Sequence, residues 1–147
     1  MSSRQALQLA KLSGFDPIVT TASASNEDYC RTAGATHVID YRTTPYSSLP
    51  ATVREITKGP VGIVYDAISS QETQRRSWEV LEPNGSLILA LPLAVDTQAE
   101  PKDDQYVVFV YRSMRDSRNT EFGRNMYAEL PRLLADGSIK VRCLSEK

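Results

Sequence analysis

The chain has 147 residues, of which 41% are hydrophobic and 24% are charged. This length and apolar content are sufficient for one globular domain, over residues 1–147, with a hydrophobic core. Its formal net charge of −1 lacks the basic excess of nucleic-acid-binding proteins. No segment approaches the ~18 apolar residues of a membrane span and no signal-peptide pattern is present, so we expect neither nucleic acid nor membrane as a partner.

The cysteine and histidine content argues against metal chemistry. Cys30 and Cys143 lie far apart in the chain, and His37 is its single histidine. Neither the number nor the spacing fits a zinc site, so we expect no metal. Two isolated cysteines are typical of a reduced compartment, and we expect a cytoplasmic protein.

Extended and helical patterns alternate through the first part of the chain. Ser25 is a predicted helix N-cap, with Asp28 three residues later, and Gly34 is the matching helix terminator. The predicted elements, in chain order, are a helix over residues 5–14, a strand over 17–22, a helix over 25–34, a strand over 37–41 and a helix over 49–57.

The same alternation continues in the second part. Residues 62–67 form the clearest buried strand, and Ser69 with Glu72 forms an S-x-x-E capping box for a helix that carries Trp78. The remaining elements are strands over 86–91 and 106–111, a polar loop over 95–105, a helix whose apolar stripe includes Phe122, Met126, Leu130 and Leu133 or Leu134, and a short closing strand over 138–144.

Strands separated by helices predict an α/β fold with a mostly parallel sheet and helices on both faces. The helix over residues 5–14 is typical of the first helix of a dinucleotide-binding unit. That helix normally follows a buried strand and a glycine-rich turn, yet no glycine precedes Gly14. We therefore expect a Rossmann-type fold whose first strand and glycine loop are missing.

Five segments with a characteristic order and spacing carry a family resemblance. They are residues 8–14 (QLAKLSG), 33–42 (AGATHVIDYR), 64–67 (VYDA), 81–85 (LEPNG) and 133–140 (LLADGSIK). Together they resemble the cofactor domain of the medium-chain dehydrogenase/reductase superfamily, in its zinc-independent quinone oxidoreductase and enoyl reductase branch. Fungal members, including stand-alone enoyl reductases that assist polyketide synthases, are the most similar. The resemblance implies a partial NAD(P)-binding Rossmann domain, truncated at both ends and without the barrel-like catalytic domain.

Members of this family bind NADPH or NADH between the two domains and transfer a hydride to an activated alkene, an enoyl group or a quinone. The resemblance thus implies an NADPH-dependent oxidoreductase, represented here by a fragment that is inactive alone. The alternative is a non-catalytic truncated remnant or a subunit-association module. No residue of the chain can be named as the catalytic acid or base.

The strand over residues 17–22 corresponds to the second strand of the family's sheet. The residues that follow this strand indicate which cofactor is preferred. NAD-binding units usually place an acidic residue there, which binds the ribose hydroxyls and repels a 2′-phosphate. In this chain Ser23, Ser25 and Asn26 follow the strand, and no acidic residue lies between the strand and Glu27. Their hydroxyl and amide groups predict NADP(H), although Ser25 as a mere helix cap is an equally good interpretation of that residue. By the resemblance, Tyr41 covers the adenosine end.

The other predicted cofactor contacts follow two later strands. Asp66 ends the strand over residues 62–67, at the carboxyl edge where α/β sheets bind ligands. A turn-capping aspartate explains this residue equally well. By the resemblance, two residue pairs lie along the nicotinamide half of the cofactor through their backbone groups, namely Ala67 with Ile68 and Ala90 with Leu91.

The missing strand has a structural consequence. In the Rossmann order 3-2-1-4-5-6, strand 1 lies between strands 2 and 4. Strands over residues 18–22 and 63–67 therefore either close on each other or accept a partner chain between them, since unpaired buried backbone groups are costly. The outer strand from Tyr106 to Tyr111 is apolar, which favours a homodimer through this edge.

Overall fold

The computed structural model describes residues 3–94, 106–109 and 119–141. Helices and strands alternate, which confirms the predicted α/β class. The helices are α1 (Ser3–Leu12), α2 (Glu27–Ala33), α3 (Leu49–Thr57), α4 (Gln71–Val80) and α5 (Thr120–Ala135). The strands are β1 (Val19–Ala22), β2 (His37–Asp40), β3 (Ile63–Asp66), β4 (Ser86–Leu89) and β5 (Tyr106–Phe109).

The five strands form two parallel sheets. β1 pairs with β2 in the register that places Val19 opposite His37. β3, β4 and β5 form the second sheet, in which Ser86 of β4 lies opposite Ile63 and Tyr106. In the part of the chain that the structure describes, β1 and β3 do not pair with each other, so direct closure of these two strands does not occur. We call the space between β1 and β3 the central gap.

Three apolar clusters form the core. The first lies between α1, α2 and β1 and contains Leu7, Ile18, Cys30, Ala33 and Ala35. The second packs α4 against β3 and β4 and contains Trp78, Leu81, Leu87 and Leu89, so Trp78 is a core residue. The third, which we call the bridging cluster, contains Ile39, Val53 and Val80.

The bridging cluster connects the two sheets. Val19 of β1 and Val64 of β3 both pack against it, together with residues of α3. Val64 also packs against the second cluster, so β3 is held by both. Burial of one valine or isoleucine side chain contributes roughly 1.5–3 kcal/mol. Side-chain packing, without backbone pairing, thus joins the described halves of the sheet.

The two predicted N-caps are displaced by one residue each. Ser25 lies inside a 3-10 turn, Ala24–Asn26, and Asn26 precedes α2. In α4 the cap is Ser70, whose side chain accepts a hydrogen bond from the Thr73 N–H at 3.2 Å. Ser69 has a φ of 54° and binds the end of β3 instead. Both predictions were wrong because other partners take these hydroxyl groups: the Ser25 Oγ lies 3.0 Å from the Ser23 Oγ, and the Ser69 hydroxyl binds Asp66 and Ala90.

Burial also differs from the prediction at β3 and α5. Ile63 is 47% exposed, although β3 was predicted to be fully buried. Strand alternation places Ile63 on the face opposite to Val64, and it is the face of Val64 that packs on the second and bridging clusters. In α5 the predicted stripe is largely exposed, with Phe122 at 66% and Met126 at 38%. The loop over residues 95–105, Tyr111, Cys143 and residues 142–144 of the predicted closing strand lie outside the described residues. Residues 138–141 are described and form no strand, so this part of the prediction was wrong.

No helix among the described residues is both long and apolar enough to span a lipid bilayer.

Gly34 provides a stability test of the contact between α1 and α2. Its φ is +123°, and an added Cβ would lie 2.9 Å from the Lys11 Cβ and 3.0 Å from the Leu7 carbonyl oxygen. We expect Gly34→Ala to lower the free energy of unfolding by about 2–4 kcal/mol, because backbone strain and overpacking add. Chemical denaturation measures this loss.

Gly14→Ala is the matched control. Gly14 also has a positive φ, +76°, but an added Cβ there has no neighbour within 4 Å. Backbone strain alone then lowers the free energy of unfolding of Gly14→Ala, by about 1 kcal/mol. Equal losses for the two variants would contradict the close approach at Gly34.

Candidate active site

The nine predicted cofactor residues all lie at the carboxyl ends of parallel strands. In α/β sheets this edge is the usual place for ligands. They form two groups separated by the central gap. The β1–β2 end contains Ser23, Ser25, Asn26 and Tyr41, and the β3–β4 end contains Asp66, Ala67, Ile68, Ala90 and Leu91.

Hydroxyl and amide groups form a connected cluster directly after β1. The Ser23 Oγ lies 3.0 Å from the Ser25 Oγ and accepts a hydrogen bond from the Asn26 Nδ2 at 3.1 Å. The Asn26 N–H also donates to the Ser23 carbonyl oxygen at 2.8 Å. Ser23 is only 4% exposed, whereas Ser25 and Asn26 are exposed. Ser23 therefore orients its two neighbours, which present their polar groups to solvent.

The first acidic residue after β1, Glu27, forms an ion pair within α2. The Glu27 Oε1 accepts a hydrogen bond from the Arg31 Nε at 2.8 Å, one helical turn away. This exposed pair contributes little to stability, but it occupies the carboxylate. The Ser23, Ser25 and Asn26 cluster consequently offers neutral hydrogen-bonding groups and no negative charge of its own.

Tyr41 lies beside this cluster. Its N–H donates to the Ala22 carbonyl oxygen at 3.2 Å, which extends the pairing of β1 with β2 by one residue. The residue is 44% exposed. The preceding Asp40 uses one carboxylate oxygen to accept the Arg42 N–H at 2.9 Å. The structure thus brings Tyr41 next to the end of β1, with its side chain open to a ligand.

At the β3–β4 end, the Asp66 carboxylate accepts hydrogen bonds from the residues that follow it in the chain. Its Oδ1 accepts hydrogen bonds from the N–H groups of Ile68 and Ser69, at 3.0 and 2.8 Å. Its Oδ2 accepts the Thr73 hydroxyl at 2.7 Å, and the residue is 6% exposed. The turn-capping alternative describes what this side chain does in the structure, and a cofactor contact by Asp66 stays a prediction.

Ser69 connects the ends of β3 and β4, a role that sequence reasoning missed. Its hydroxyl donates to the Asp66 carbonyl oxygen at 2.7 Å and accepts the Ala90 N–H at 3.0 Å. The Ala90 N–H also approaches the Asp66 carbonyl oxygen at 3.3 Å. One buried hydroxyl group therefore holds Asp66 and Ala90 at a set separation.

Gln74 is a second residue that sequence reasoning missed. It is 0% exposed, and its Nε2 donates to the carbonyl oxygens of Ser69 and Pro92 at 3.0 and 2.9 Å. Its Oε1 accepts the Ala94 N–H at 2.7 Å. A signal existed, since Gln74 precedes the core residue Trp78 by four positions and so shares its helix face.

These bonds fix the backbone of an exposed apolar rim. Ile68 is 58% exposed and Leu91 is 46% exposed, and Ala67 is exposed as well. Ala90 is partly covered. Apolar side chains on a rigid backbone at a sheet edge suit the face of an aromatic ring.

Other reactive groups do not join the site. Burial raises the pKa of the Cys30 thiol, which disfavours the thiolate needed for nucleophilic chemistry. His37 is exposed at the opposite end of β2, where its Nδ1 lies 3.0 Å from the Thr36 hydroxyl. Among the described residues, no three His, Cys, Asp or Glu side chains are grouped so that they could hold a metal ion.

Comparison with known proteins identifies relatives of the chain. A trans-enoyl reductase of Fusarium mangiferae is 26% identical over 95% of this chain and 40% of its own length. A trans-enoyl reductase of Aspergillus japonicus is 30% identical over 93% of this chain and 38% of its own length. The chain spans about two fifths of the length of these curated relatives.

The fold has close structural neighbours. The crystal structure of Escherichia coli quinone oxidoreductase complexed with NADPH superposes with a TM-score of 0.78 at 27% identity. The match covers 97% of this chain and 44% of that one. Residues 5–136 also match the family model described as zinc-binding dehydrogenase. The chain therefore belongs to the zinc-binding dehydrogenase family of medium-chain dehydrogenases/reductases and has its Rossmann-type fold.

Proposed function

We propose that the chain binds NADP(H) along the carboxyl ends of its strands, as the cofactor-holding part of a reductase of enoyl, alkene or quinone groups. The relatives support this proposal through their activities, trans-enoyl reduction and quinone reduction, and one neighbour was solved with NADPH. The observation that carries the cofactor assignment is the Ser23, Ser25 and Asn26 cluster, which stands where NAD-binding units place an acid.

The physical basis of the preference is electrostatic. A carboxylate about 4 Å from a 2′-phosphate is repelled by roughly 1–4 kcal/mol at partly exposed sites. Ser25 and Asn26 impose no such repulsion, and their hydroxyl and amide groups donate hydrogen bonds to phosphate oxygens. Tyr41, next to the end of β1, contacts the adenosine moiety.

At the β3–β4 end the proposed role is positioning. Bound there, the nicotinamide ring supplies the hydride chemistry. Ala67, Ile68, Ala90 and Leu91 orient the ring and exclude water from one of its faces, and the bonds of Ser69 and Gln74 keep this rim rigid. Asp66 is the single carboxylate among the nine candidates, and its oxygens are occupied.

A second candidate function is subunit association. β5 is the last strand of its sheet and pairs, among the described residues, only with β4. An apolar strand edge favours pairing with another chain. The corresponding proposal is a homodimer through the edge from Tyr106 to Tyr111, of which Tyr106–Phe109 are described.

The first test concerns cofactor preference. We expect the unmodified chain to bind NADPH about fivefold more tightly than NADH, and Ser25→Asp to reverse this order by lowering NADPH affinity about tenfold. Ser25 is preferable to Ser23 for this change, because an acid at the buried Ser23 would also destabilise the fold. Titrations followed by nuclear magnetic resonance measure both cofactors, even when binding is weak.

Ser13→Asp is the control for charge alone. Ser13 is exposed, follows α1 and lies at the opposite edge of the sheet. The same substitution there leaves the ratio of the two affinities unchanged. Equal binding of NADPH and NADH by the unmodified chain would defeat the NADP(H) assignment.

The second test separates the two interpretations of Asp66. Asp66→Asn removes acceptors from buried donors, so we expect a loss of about 1–3 kcal/mol in the free energy of unfolding. NADPH affinity of the folded variant should stay within about twofold of the unmodified chain. Denaturation and titration on the same sample measure the two effects.

Asp136→Asn serves as the comparison, because Asp136 also caps a turn, accepting the Ser138 N–H at 2.9 Å, but is exposed. Asp136→Asn should lower the free energy of unfolding by less than about 1 kcal/mol. A folded Asp66→Asn variant that no longer binds NADPH would make Asp66 a cofactor ligand.

The third test concerns turnover. Because all nine candidates are assigned to the cofactor and none to an enoyl or quinone acceptor, we expect the 147-residue chain to bind NADPH without oxidising it in the presence of an enoyl thioester or a quinone. The absorbance of NADPH follows the reaction, with a complete family member as positive control. Sustained NADPH oxidation dependent on either acceptor would contradict this expectation.

A further inference from the structure

A groove runs along α1, between α2 and the segment that follows α5. Its volume is about 480 Å³, and small-molecule sites commonly have volumes of about 300–1,000 Å³. We call it the α1 groove. Its described lining includes Arg4, Gln8 and Lys11 of α1, Ala33 at the end of α2, and Lys140. The groove is therefore a concave surface of a size suited to a small molecule.

Three of the lining residues lie on the same side of α1. Positions four and seven residues apart are neighbours on a helix with about 3.6 residues per turn, and Arg4, Gln8 and Lys11 have this spacing. Arg4 and Lys11 are separated by about 10.5 Å along the helix axis, at about 1.5 Å per residue. Both side chains are long, so both can reach a group bound beside Gln8.

The α1 groove is positively charged. Its described lining contains three cationic side chains, those of Arg4, Lys11 and Lys140, and no carboxylate. In the described part of the chain, none of the three forms an ion pair. Asp136, which precedes the segment of Lys140, pairs with Arg132 at 3.1 Å. An anion in the groove would thus meet positive charge that no described carboxylate neutralises.

Two donor groups in the groove lack acceptors. The Arg4 Nε is buried and has no hydrogen-bond partner among the described residues. Gln8 is 7% exposed, and its Oε1 accepts the Lys140 N–H at 3.2 Å. Within the described chain the Gln8 Nε2 has no partner. Buried donors in native proteins are nearly always paired, so these two groups indicate an acceptor that binds in the groove.

Tyr29 positions the guanidinium of Arg4. The Arg4 Cζ lies 4.9 Å from the centroid of the Tyr29 ring, which is a cation–π contact. A guanidinium stacked on a ring keeps its in-plane N–H groups available, and this fork matches two oxygens of one phosphate or carboxylate. Because the cation is already held in place, less side-chain entropy is lost when an anion binds.

Phosphate fits these groups better than carboxylate. A phosphate monoester has three terminal oxygens and a charge of about −1.5 to −2 at pH 7, whereas a carboxylate has two oxygens and a single charge. Leu12, which is 47% exposed, adds an apolar surface to the lining. We propose that the α1 groove binds a small phosphate-bearing organic molecule. Its phosphate lies beside Gln8, between Arg4 and Lys11, and its organic part contacts Leu12.

The α1 groove is separate from the proposed cofactor contacts. No described strand residue lines it. Leu12 and Ala33 are the last residues of α1 and α2, which precede β1 and β2, so this part of the groove lies toward the amino ends of the strands. The nine cofactor candidates lie at the carboxyl ends. Binding in the groove is therefore independent of the cofactor assignment.

Titration of the 147-residue chain with phenyl phosphate tests this proposal, with amide positions followed by nuclear magnetic resonance. We expect saturating shifts at the amides of Gln8, Thr32 and Lys140, with a dissociation constant of about 1 mM or below. Benzoate, at the same ionic strength, carries the ring on a carboxylate. It should bind at least about fivefold more weakly.

Variants identify the charges that hold the phosphate. Arg4→Gln and Lys11→Gln should each weaken phenyl phosphate binding by at least about tenfold, because each removes one cation from the groove. Lys58→Gln is the matched control, since Lys58 is exposed, follows α3 and does not line the groove. Its affinity should stay within about twofold of the unmodified chain. An unchanged amide position of the core residue Ile39 shows that each variant is folded.

Three results would overturn the proposal. Shifts confined to Ser25, Asn26 and Tyr41 would place the phosphate at the proposed cofactor site. Equal binding of benzoate and phenyl phosphate would contradict phosphate as the ligand class. Equal losses in Lys58→Gln and Lys11→Gln would mean that only the net charge of the chain attracts the anion.

Discussion

The structure depends on one packing interaction, the bridging cluster of Ile39, Val53 and Val80. β1 and β3 share no backbone hydrogen bonds in the described chain, so their relative position is set by side chains alone. Val19 and Val64 contact the cluster from the two sheets. Since both ends of the proposed cofactor site are attached to these strands, the geometry of the site depends on the cluster.

The two ends of the site are organised by different means. At the β1–β2 end, short local contacts of Ser23 close a turn and leave Ser25 and Asn26 exposed. At the β3–β4 end, Asp66 and Gln74 form a buried polar network whose hydrogen bonds connect the segments after both strands. Buried polar groups that are fully hydrogen-bonded rigidify their surroundings, which suits a surface that must orient a ring.

The central gap separates the two ends of the proposed cofactor site. In the described chain, packing on the bridging cluster, and not a shared backbone ladder, sets the separation of the Ser23 turn and the Asp66 turn. In α/β sheets ligands bind at the switch point of strand order, which here coincides with the gap.

The sequence by itself determined the α/β class, the order of the elements, the termination of α2 at Gly34 and the lack of an acidic residue between β1 and Glu27, because these depend on local periodicity and residue type. Tertiary structure alone decided the shift of a cap from Ser69 to Ser70, the burial of Gln74 and the exposure of Ile63. A hydroxyl or amide side chain takes whichever partner the fold brings near it. Likewise, an apolar strand is covered only where another element packs on it. Neither the partner of a polar side chain nor the element that covers a strand can be inferred from the residues adjacent in sequence.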